Sequence, residues 1–184
     1  MRDRTALLVV DVQLGAFDGE LCPVISGSDQ LLANVAHLID AARTSNIDVV
    51  FIQHCAPAGE VFEEGTARWQ IHPDIGPIKG ESIVAKHESS AFYGTNLHDI
   101  LQSLDIDSLV VCGLQSEHCV SNTALSALGL GYAVTIAQDA HSTWPDGGLT
   151  TEQLVERQNT LLSQKGAVTT STSELIQELK AGGV

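Results

Sequence analysis

Basic residues are scarce in this sequence. It contains 9 lysines and arginines against 23 aspartates and glutamates, which gives a net charge of −14 and a pI near 4.6. A chain this acidic is repelled by the phosphates of nucleic acids and by anionic membrane surfaces. We therefore expect a small molecule as its ligand, and neither nucleic acid nor a membrane as a partner.

Long apolar segments and closely spaced cysteines are also missing. No apolar run approaches the ~20 residues that a membrane-spanning helix needs, and residues 1–4 lead into a strand-like segment without the apolar core of a signal peptide. The four cysteines, at positions 22, 55, 112 and 119, include no C-x-x-C pair. These absences argue against a membrane protein and a small disulfide scaffold, and we expect reduced thiols in a cytoplasmic protein.

What the sequence does contain is an alternation of strand-like and helix-like segments. Its 184 residues, 43% hydrophobic and 17% charged, suit one globular domain spanning residues 1–184. Apolar runs predict strands over 5–10, 48–53, 81–86, 108–112 and 133–137, with a short last strand at Val168. Helical patterns separate them, and one begins at a capping box from Thr150 to Gln153. This alternation predicts an α/β protein, with a three-layer α/β/α fold around a doubly wound, mostly parallel, six-stranded Rossmann-like sheet.

The segment Val110–Val120 is the one around which the other candidate residues are arranged. Its apolar strand stops at Gly113, a polar turn follows, and Cys119 opens a segment predicted to be a helix from Val120 to Leu128. A cysteine at a helix N-terminus lies among unpaired backbone N–H groups and near the positive end of the helix dipole. That environment favours the thiolate and makes the sulfur a nucleophile. The alternative interpretation is a buried structural cysteine.

Three predicted strands lead to reactive side chains: Asp11, Lys86 and Cys119. Because the carboxyl ends of parallel strands share one edge of a sheet, these side chains can meet in one pocket although they are far apart in sequence. There a carboxylate can accept the thiol proton, while an ammonium favours the thiolate and keeps the carboxylate ionised. Taken singly, Asp11 can equally be a turn residue, and Lys86 is better explained as a solvated strand end.

Several stretches make the sequence recognisable: Leu7–Gln13, Lys86–Thr95, Val111–Val120, and Gly131–Val134 together with Gln138–Ala140. Through them nearly the whole chain resembles the isochorismatase-like cysteine hydrolase superfamily, which includes nicotinamidases and N-carbamoylsarcosine amidases. The later stretches are the specific ones, because a strand, a glycine, a short turn and Cys-Val are followed by Gly-Tyr-x-Val and then Asp-Ala.

The resemblance implies an assignment for the active site. Asp11, Lys86 and Cys119 match the catalytic triad of the family. The Leu114–Gln115 peptide is expected to be cis, and the backbone N–H groups of Gln115 and Cys119 are expected to form an oxyanion hole. A small amide or carbamoyl-type substrate would then be cleaved through a thioester, with no cofactor. The resemblance also implies a homodimer or a higher homo-oligomer.

Substrate contacts are expected from residues near the same edge of the sheet. Six residues are singled out, most of them aromatic in a chain that is only 4% aromatic: Gln13, Phe17, Trp69, Phe92, His118 and Trp144. The aromatic side chains could equally pack in the core or at an interface, and His118 could simply face solvent. The glycine- and proline-rich stretch from Cys55 to Gly80 is expected to shape the pocket.

A metal site is not expected. Nicotinamidases of the family bind a divalent metal through an Asp-x-His pair after the second strand, where this sequence has Gln53-His54-Cys55. His54, His72 and His87 could in principle form a different site, but we interpret them as solvated or hydrogen-bonded loop histidines. Nicotinamidase activity is therefore not expected.

Three alternatives to an amidohydrolase stay open at this point. An isochorismatase-type enzyme would cleave a vinyl ether, although such enzymes commonly lack the cysteine that is present here. A non-catalytic scaffold or binding protein would not require all three triad residues. A thiol redox protein could use Cys112 and Cys119, although their spacing is not that of a C-x-x-C motif.

Overall fold

The structure, a computed structural model, describes residues 4–182. The strands are β1 (Thr5–Val10), β2 (Asp48–His54), β3 (Ser82–Lys86), β4 (Ser108–Leu114), β5 (Ala133–Ser142) and β6 (Val168–Thr170). The helices are α1 (Ser28–Thr44), α2 (Leu97–Ser103), α3 (Ser121–Gly129), α4 (Thr151–Gln164) and α5 (Thr172–Ala181). Within residues 4–182, none of the helices is long and apolar enough to cross a membrane.

The six strands form one sheet in the order β3-β2-β1-β4-β5-β6, and every pairing is parallel. β1 and β4 are neighbours in the centre, and the chain winds outward from them in both directions. This confirms the predicted doubly wound sheet, which is parallel throughout. In such sheets ligands bind at the carboxyl ends of the strands, beside the point where the strand order reverses. Here that point lies between β1 and β4.

Two apolar cores cover the two faces of the sheet. β1 is buried along its whole length, so its alternate side chains serve both cores. Leu7 and Val9 pack in the core that α1 and α5 cover, and Leu8 and Val10 pack in the core that α2, α3 and α4 cover. Burial on both faces explains why β1 is a continuous apolar run and not an alternating one. The three predicted layers are thereby confirmed.

The centre of the sheet differs from the prediction at Gly113. The strand does not stop there, because β4 continues to Leu114 and Gly113 pairs with Val10 of β1. The φ angle of Gly113 is 117°, and a Cβ atom at this position would lie 2.0 Å from the carbonyl oxygen of Val10. Glycine is therefore required here by the close approach of the two central strands.

β5 is longer than predicted and is irregular. The prediction covers residues 133–137, but the strand continues to Ser142. Its pairing with β4 shifts in register, since Ile136 lies opposite Val111 whereas His141 lies opposite Gly113. Residues 137–140 therefore bulge out of the ladder, and the end of β5 is carried to the carboxyl edge of the sheet.

The segment between β4 and α3 also differs from the prediction. One π-helical turn, Ser116–Val120, precedes α3, so Cys119 lies inside this turn and not at the first residue of the helix. We call residues 115–120 the cysteine turn. The predicted capping box of α4 is confirmed, because Thr150 and Gln153 each accept the backbone N–H of the other.

Candidate active site

Three strand ends come together at the carboxyl edge of the sheet. Asp11 directly follows β1, Lys86 is the last residue of β3, and Cys119 lies in the cysteine turn after β4. The Lys86 Nζ atom is 2.8 Å from Asp11 Oδ2 and 3.2 Å from Cys119 Sγ. The structure thus brings together the three side chains that the sequence places at strand ends.

The Lys86 ammonium is fully buried at the centre of this cluster. Besides Asp11 and Cys119, it lies 3.1 Å from the backbone carbonyl of Glu88 and 3.1 Å from Nδ1 of His54. Burial acts to lower the pKa of Lys86, but the charge of Asp11 and, after it, the proximity of Cys119 act in the opposite direction and the pKa is raised. Lys86 is therefore a cation at neutral pH.

His54 belongs to the same cluster, whereas the sequence suggested a solvated or hydrogen-bonded loop histidine and, in principle, a metal ligand. Because an ammonium can only donate, Nδ1 of His54 accepts the hydrogen bond from Lys86. Burial, and after it the charge of Lys86, lowers the pKa of His54 to about 4. His54 is therefore a neutral imidazole with its proton on Nε2.

Asp11 is buried and has one oxygen without a partner. Its side chain is 2% exposed, Oδ2 binds Lys86, and Oδ1 has no hydrogen-bond partner within residues 4–182. Burial raises the pKa of Asp11 and outweighs the lowering effect of the Lys86 charge. A buried carboxylate with an oxygen available and a raised pKa is suited to accepting a proton.

The ionisation of Cys119 differs from what the sequence suggests. Burial, and after it the charge of Asp11, raises the pKa of Cys119 to about 11, and the opposing effect of Lys86 is smaller. The expectation that the surroundings lower the pKa of Cys119 is therefore wrong, because it left out the desolvation of the sulfur and the charge of the neighbouring carboxylate. At neutral pH Cys119 is a thiol that needs a base, and Asp11 is the adjacent one.

The peptide that leads into the cysteine turn has the predicted geometry. The Leu114–Gln115 bond is cis. The carbonyl oxygen of Gln115 accepts the backbone N–H groups of His118 and Val120, both at 3.1 Å, and so closes the turn. Gln115 and Cys119, the two residues expected to supply oxyanion-hole N–H groups, both line the cavity next to Asp11. Their role as an oxyanion hole stays a prediction.

A cavity of about 480 Å³ opens above the cluster. Its floor is formed by polar residues of the strand ends and the cysteine turn, and its walls are largely apolar. The lining residues are Asp11, Leu21, Cys22, His54, Ala56, Gly59, Glu60, Val61, Phe62, Leu114, Gln115, Cys119 and Trp144. The segment from 56 to 62 belongs to the stretch that the sequence predicts to shape the pocket.

Of the six side chains expected to contact substrate, Trp144 lines the cavity and Gln13 does not. Trp144 is held there by its indole N–H, which donates to the carbonyl of Pro23 at 2.6 Å. Gln13 is fully buried, and its amide binds backbone groups at both ends. It donates to the carbonyls of His54 and Trp69 and accepts the N–H of His54. Gln13 therefore braces the strand end that carries His54 and is not available to substrate.

The other aromatic candidates also lie outside the cavity lining. Phe17 packs edge-on against His72, with ring centroids 4.9 Å apart, and Phe92 packs against Tyr132 at 5.9 Å. Trp69 is half-buried, and its backbone carbonyl holds the amide of Gln13. The rings of Phe17 and Phe92 contribute to packing, the alternative that the sequence left open.

His118 is directed away from the cavity, although it is next to Cys119 in sequence. Its side chain is 61% exposed, and Nε2 lies 3.8 Å from the carboxylate of Glu117. In the π-helical turn, adjacent residues point in different directions. The solvent-facing alternative for His118 therefore fits the structure, and the substrate-contact expectation does not.

The cluster also contains one group of potential metal ligands. Ligand atoms of Asp11, His54 and Cys119 lie within 4.8 Å of one another, and neither His72 nor His87 belongs to this group. However, Nζ of Lys86 lies 2.8 Å, 3.1 Å and 3.2 Å from these three side chains. A buried ammonium thus already holds the position that a cation would take between these ligands.

The cavity wall includes residues that the sequence analysis did not single out, among them Leu21, Cys22, Val61 and Phe62. Phe62 could have been proposed as a cavity residue from the sequence, since it is one of four phenylalanines and lies in the long stretch after β2. It packs edge-on against His54, with ring centroids 6.2 Å apart. The other residues carried no signal, because an aliphatic loop residue has the same sequence pattern whether it faces a cavity or solvent.

The redox alternative is disfavoured by the position of Cys112. The four cysteines, all within the described residues, are free thiols. Cys112 is fully buried inside β4, where Sγ contacts the carbonyl of Leu8, and burial raises its pKa to about 12. Cys112 is therefore a packing residue that a thiol–disulfide exchange cannot reach.

The fold and the site together define a Rossmann-like α/β protein with a buried aspartate–lysine–cysteine cluster at the switch point of its sheet. The family model described as the isochorismatase domain matches residues 5–174. The chain therefore belongs to the isochorismatase family.

Several relatives are named as hydrolases. The chain is 35% identical over 144 residues to a streptothricin hydrolase from Streptomyces noursei, covering 78% of this chain and 56% of that protein. It thus spans about half the length of this relative. An isochorismatase from Pseudomonas putida KT2440 superposes with a TM-score of 0.85 at 30% identity, covering 93% of this chain and 89% of that one. N-carbamoylsarcosine amidase from Thermoplasma acidophilum superposes with a TM-score of 0.78 at 25% identity, covering 92% and 96%.

Proposed function

We propose that this protein is a cysteine-nucleophile hydrolase that cleaves a small amide or carbamoyl-type C–N bond through a thioester intermediate. The observation that carries the proposal is the contact of buried Lys86 with Asp11 at 2.8 Å and with Cys119 at 3.2 Å on the floor of a cavity. Two relatives support it by their names, the streptothricin hydrolase and the N-carbamoylsarcosine amidase.

The first step is proton transfer from Cys119 to Asp11. The raised pKa of the thiol means that the nucleophile must be generated in the complex, and Asp11 has a free oxygen for the proton. The raised pKa of Asp11 makes that transfer less unfavourable than it would be for an ordinary aspartate. The thiolate then attacks the carbonyl carbon of the substrate and forms a C–S bond.

The negative charge that develops on the substrate oxygen must be stabilised by hydrogen-bond donors. The backbone N–H groups of Gln115 and Cys119 are the proposed donors, since both residues line the cavity. In comparable sites the loss of one such donor costs ~10²–10³ in rate. When the tetrahedral intermediate collapses, the C–N bond breaks and the amine leaves with the proton from Asp11.

Asp11 is then ready for the second half of the reaction. It takes a proton from a water molecule, the resulting hydroxide attacks the thioester carbonyl, and the C–S bond breaks. The acid product is released, and the proton on Asp11 returns to Cys119. Lys86 stays protonated throughout, and its charge stabilises both the carboxylate and the thiolate. The sequence of steps is balanced without any further reactant, so we propose no cofactor.

The charge of the cavity favours a neutral or cationic substrate. Among the residues described as lining it, none is a lysine or an arginine, and Glu60 is an acidic group at its wall. The buried cation, Lys86, is already paired with Asp11. A substrate carboxylate would therefore enter without a counter-ion and would be repelled by Glu60, which makes carboxylate-bearing amides poor candidates.

The compartment and the oligomeric state of the enzyme are also proposed. Free thiols at all four cysteines agree with a reducing, cytoplasmic compartment. A homodimer or a higher homo-oligomer is proposed from the family resemblance, and light scattering on the purified protein would test it. Both statements are independent of the proposed chemistry.

A substrate screen tests the function. Wild type and Cys119→Ala are incubated with matched amides, carbamates, ureas and vinyl ethers, and released ammonia, amine or carbonyl product is measured. We expect wild type to hydrolyse at least one C–N substrate and Cys119→Ala to hydrolyse none. Vinyl-ether cleavage that survives Cys119→Ala would favour the isochorismatase-type alternative. The absence of any turnover by wild type would favour a non-catalytic scaffold.

A further inference from the structure

A second hydrogen-bonded chain lies on the side of the cysteine turn that faces away from the cavity. The Ser116 hydroxyl lies 2.8 Å from Nδ1 of His141, and Nε2 of His141 lies 2.9 Å from Oδ1 of Asn159. The Asn159 amide nitrogen donates to the carbonyl of Gln138 at 3.0 Å. Ser116 is fully buried, His141 is 4% exposed and Asn159, at the outer end, is half-buried. We call Ser116, His141 and Asn159 the buried relay.

The proton positions in the buried relay follow from its far end. The carbonyl of Gln138 can only accept, so the NH₂ group of Asn159 must face it and Oδ1 must face His141. Oδ1 can also only accept, so Nε2 of His141 carries a proton. Burial lowers the pKa of His141, which keeps the ring neutral and leaves Nδ1 without a proton. The Ser116 hydroxyl therefore donates to Nδ1, and its orientation is fixed.

The bulge in β5 is what makes the buried relay possible. Without the register shift, the residue opposite Gly113 would be close to 138, but the bulge places His141 there instead. The neighbouring Thr143 makes a parallel contact, since its hydroxyl donates to the carboxylate of Glu117 at 2.7 Å. The end of β5 and Thr143, which directly follows it, thus contact two consecutive residues of the cysteine turn, Ser116 and Glu117. Bulges of this kind commonly redirect side chains next to functional sites.

We propose that His141 is a positioning residue for the proposed hydrolysis, acting through Ser116 to hold the cysteine turn so that Gln115 and Cys119 keep their places at the cavity floor. This inference rests on the proposed function. Ser116 directly follows Gln115 in the chain, so a displacement of Ser116 also displaces a proposed oxyanion donor. His141 and Ser116 do not line the cavity, and their effect on substrate is therefore indirect.

Two substitutions of His141 test whether its hydrogen bond to Ser116, and not only its burial, affects the reaction rate. In His141→Asn, the side-chain oxygen can take the place of Nδ1 and accept from Ser116. In His141→Gln, the side-chain NH₂ can take the place of Nε2 and bind Asn159, but Ser116 loses its acceptor. We expect His141→Gln and Ser116→Ala to lower kcat by about 10- to 100-fold with KM within about twofold of wild type. We expect His141→Asn to retain most of the wild-type kcat.

A double variant of Ser116 and His141 gives a further test, and a loss of protein stability alone would not reproduce its expected result. If His141 acts through Ser116, the double variant Ser116→Ala/His141→Gln loses about as much kcat as Ser116→Ala alone. His98→Gln is the matched control, because His98 also has a side-chain hydrogen bond, to Tyr132 at 2.9 Å, away from the cysteine turn. We expect this control to keep the wild-type kcat even if its melting temperature falls.

The outcomes distinguish this inference from the proposed function. An active wild type whose Ser116→Ala and His141→Gln variants keep its kcat overturns the positioning role only. Equal losses in His141→Asn and His141→Gln overturn it as well, since the contact to Ser116 would then be irrelevant. A wild type without turnover overturns the proposed function. In that case the rate of Cys119 alkylation by iodoacetamide is measured, and a change below about twofold in Ser116→Ala and His141→Gln overturns the positioning role.

Discussion

The cysteine turn separates two clusters with opposite properties. On the cavity side, Asp11, Lys86 and Cys119 are titratable and in contact with one another, and Asp11 and Cys119 line the cavity. On the other side, Ser116 and His141 of the buried relay are neutral, hydrogen-bonded and closed to the cavity. The cysteine turn therefore contacts charged, titratable groups on one side and a neutral hydrogen-bonded network on the other.

This difference explains how a buried charged cluster can be kept in place. A buried ion pair is costly to desolvate and does little by itself to hold one arrangement. A satisfied neutral network of hydrogen bonds has no such cost and favours one geometry. The proposed chemical and positioning roles therefore belong to different faces of the cysteine turn, and each can be disturbed separately.

The largest effect is expected from Cys119→Ala, which removes the nucleophile from the cavity side and leaves the buried relay intact. Turnover should fall by on the order of 10⁴-fold or more, while the melting temperature changes little. The matched control is Cys22→Ala, because Cys22 is a free thiol that lines the same cavity. Comparable loss of activity in Cys22→Ala would contradict the assignment of the nucleophile.

The next largest effect is expected from a substitution in β4, the strand that leads into the cysteine turn. Gly113→Ala would bring a Cβ atom to 2.0 Å from the Val10 carbonyl oxygen at a φ of 117°, so we expect the free energy of unfolding to fall by about 3 kcal/mol or more. Gly131→Ala is the control, because Gly131 has a φ of 91° but no atom within 4 Å of the added methyl group. Urea unfolding should show a loss of only about 1 kcal/mol there. Equal losses at the two sites would refute the close-approach explanation.

A smaller effect tests the charge coupling on the cavity side. Since the charge of Asp11 raises the pKa of Cys119, Asp11→Asn should lower that pKa and speed alkylation of Cys119 at pH 8 by about tenfold, although it abolishes turnover. In wild type the alkylation rate should still rise at pH 10, because the pKa is about 11. The rates are read from the Cys119 peptide by mass spectrometry. Slower labelling of Asp11→Asn than of wild type would reverse the sign assigned to this interaction.

The smallest effect is expected at the rim of the cavity. Glu60→Gln should reduce the preference for a cationic amide over its neutral isostere by about two- to fivefold, since Glu60 is exposed and its charge is screened by solvent. The comparison uses kcat/KM for the two substrates in wild type and variant. Glu64→Gln removes an exposed charge that does not line the cavity and should leave the preference unchanged. The same shift in both variants would show that net charge, and not Glu60, sets the preference.

Much of the fold could be predicted because its determinants are local. Continuous apolar runs identify strands buried on both faces, and the capping box of α4 is legible from Thr150 and Gln153. The limits of β4 and β5 could not be predicted in the same way. Gly113 is indistinguishable in sequence from a strand terminator, and the bulge of β5 exists only in the pairing with β4.

The residues of the candidate site also divide into those that could be predicted from the sequence and those that could not. Asp11, Lys86 and Cys119 could be placed together because the strand ends of a parallel sheet share one edge. Gln13, Phe17 and Phe92 could not be assigned, since whether a loop side chain faces a cavity or a neighbouring element depends on tertiary packing. The protonation state of Cys119 was predicted wrongly for a related reason, because sequence does not report how deeply a thiol is buried.

The buried relay left no signal in the sequence. Ser116, His141 and Asn159 come from three different elements and meet only through the irregular end of β5. Ser116 belongs to the stretch Val111–Val120 that carries the family resemblance, but no local spacing links it to His141 or Asn159. A neutral network of this kind is recognised from the hydrogen-bond geometry of the structure. Sequence patterns of charged or nucleophilic residues do not indicate it.

The most direct test of the central claim is to trap the acyl-enzyme. Wild type is mixed with a substrate from the screen, quenched in acid within the first turnovers and analysed by intact-protein and peptide mass spectrometry, with a parallel reaction containing hydroxylamine to intercept the thioester. We predict an acyl adduct on Cys119 or formation of the corresponding hydroxamate, and neither with Cys119→Ala. An adduct on another residue, or undiminished turnover by Cys119→Ala, would contradict the account.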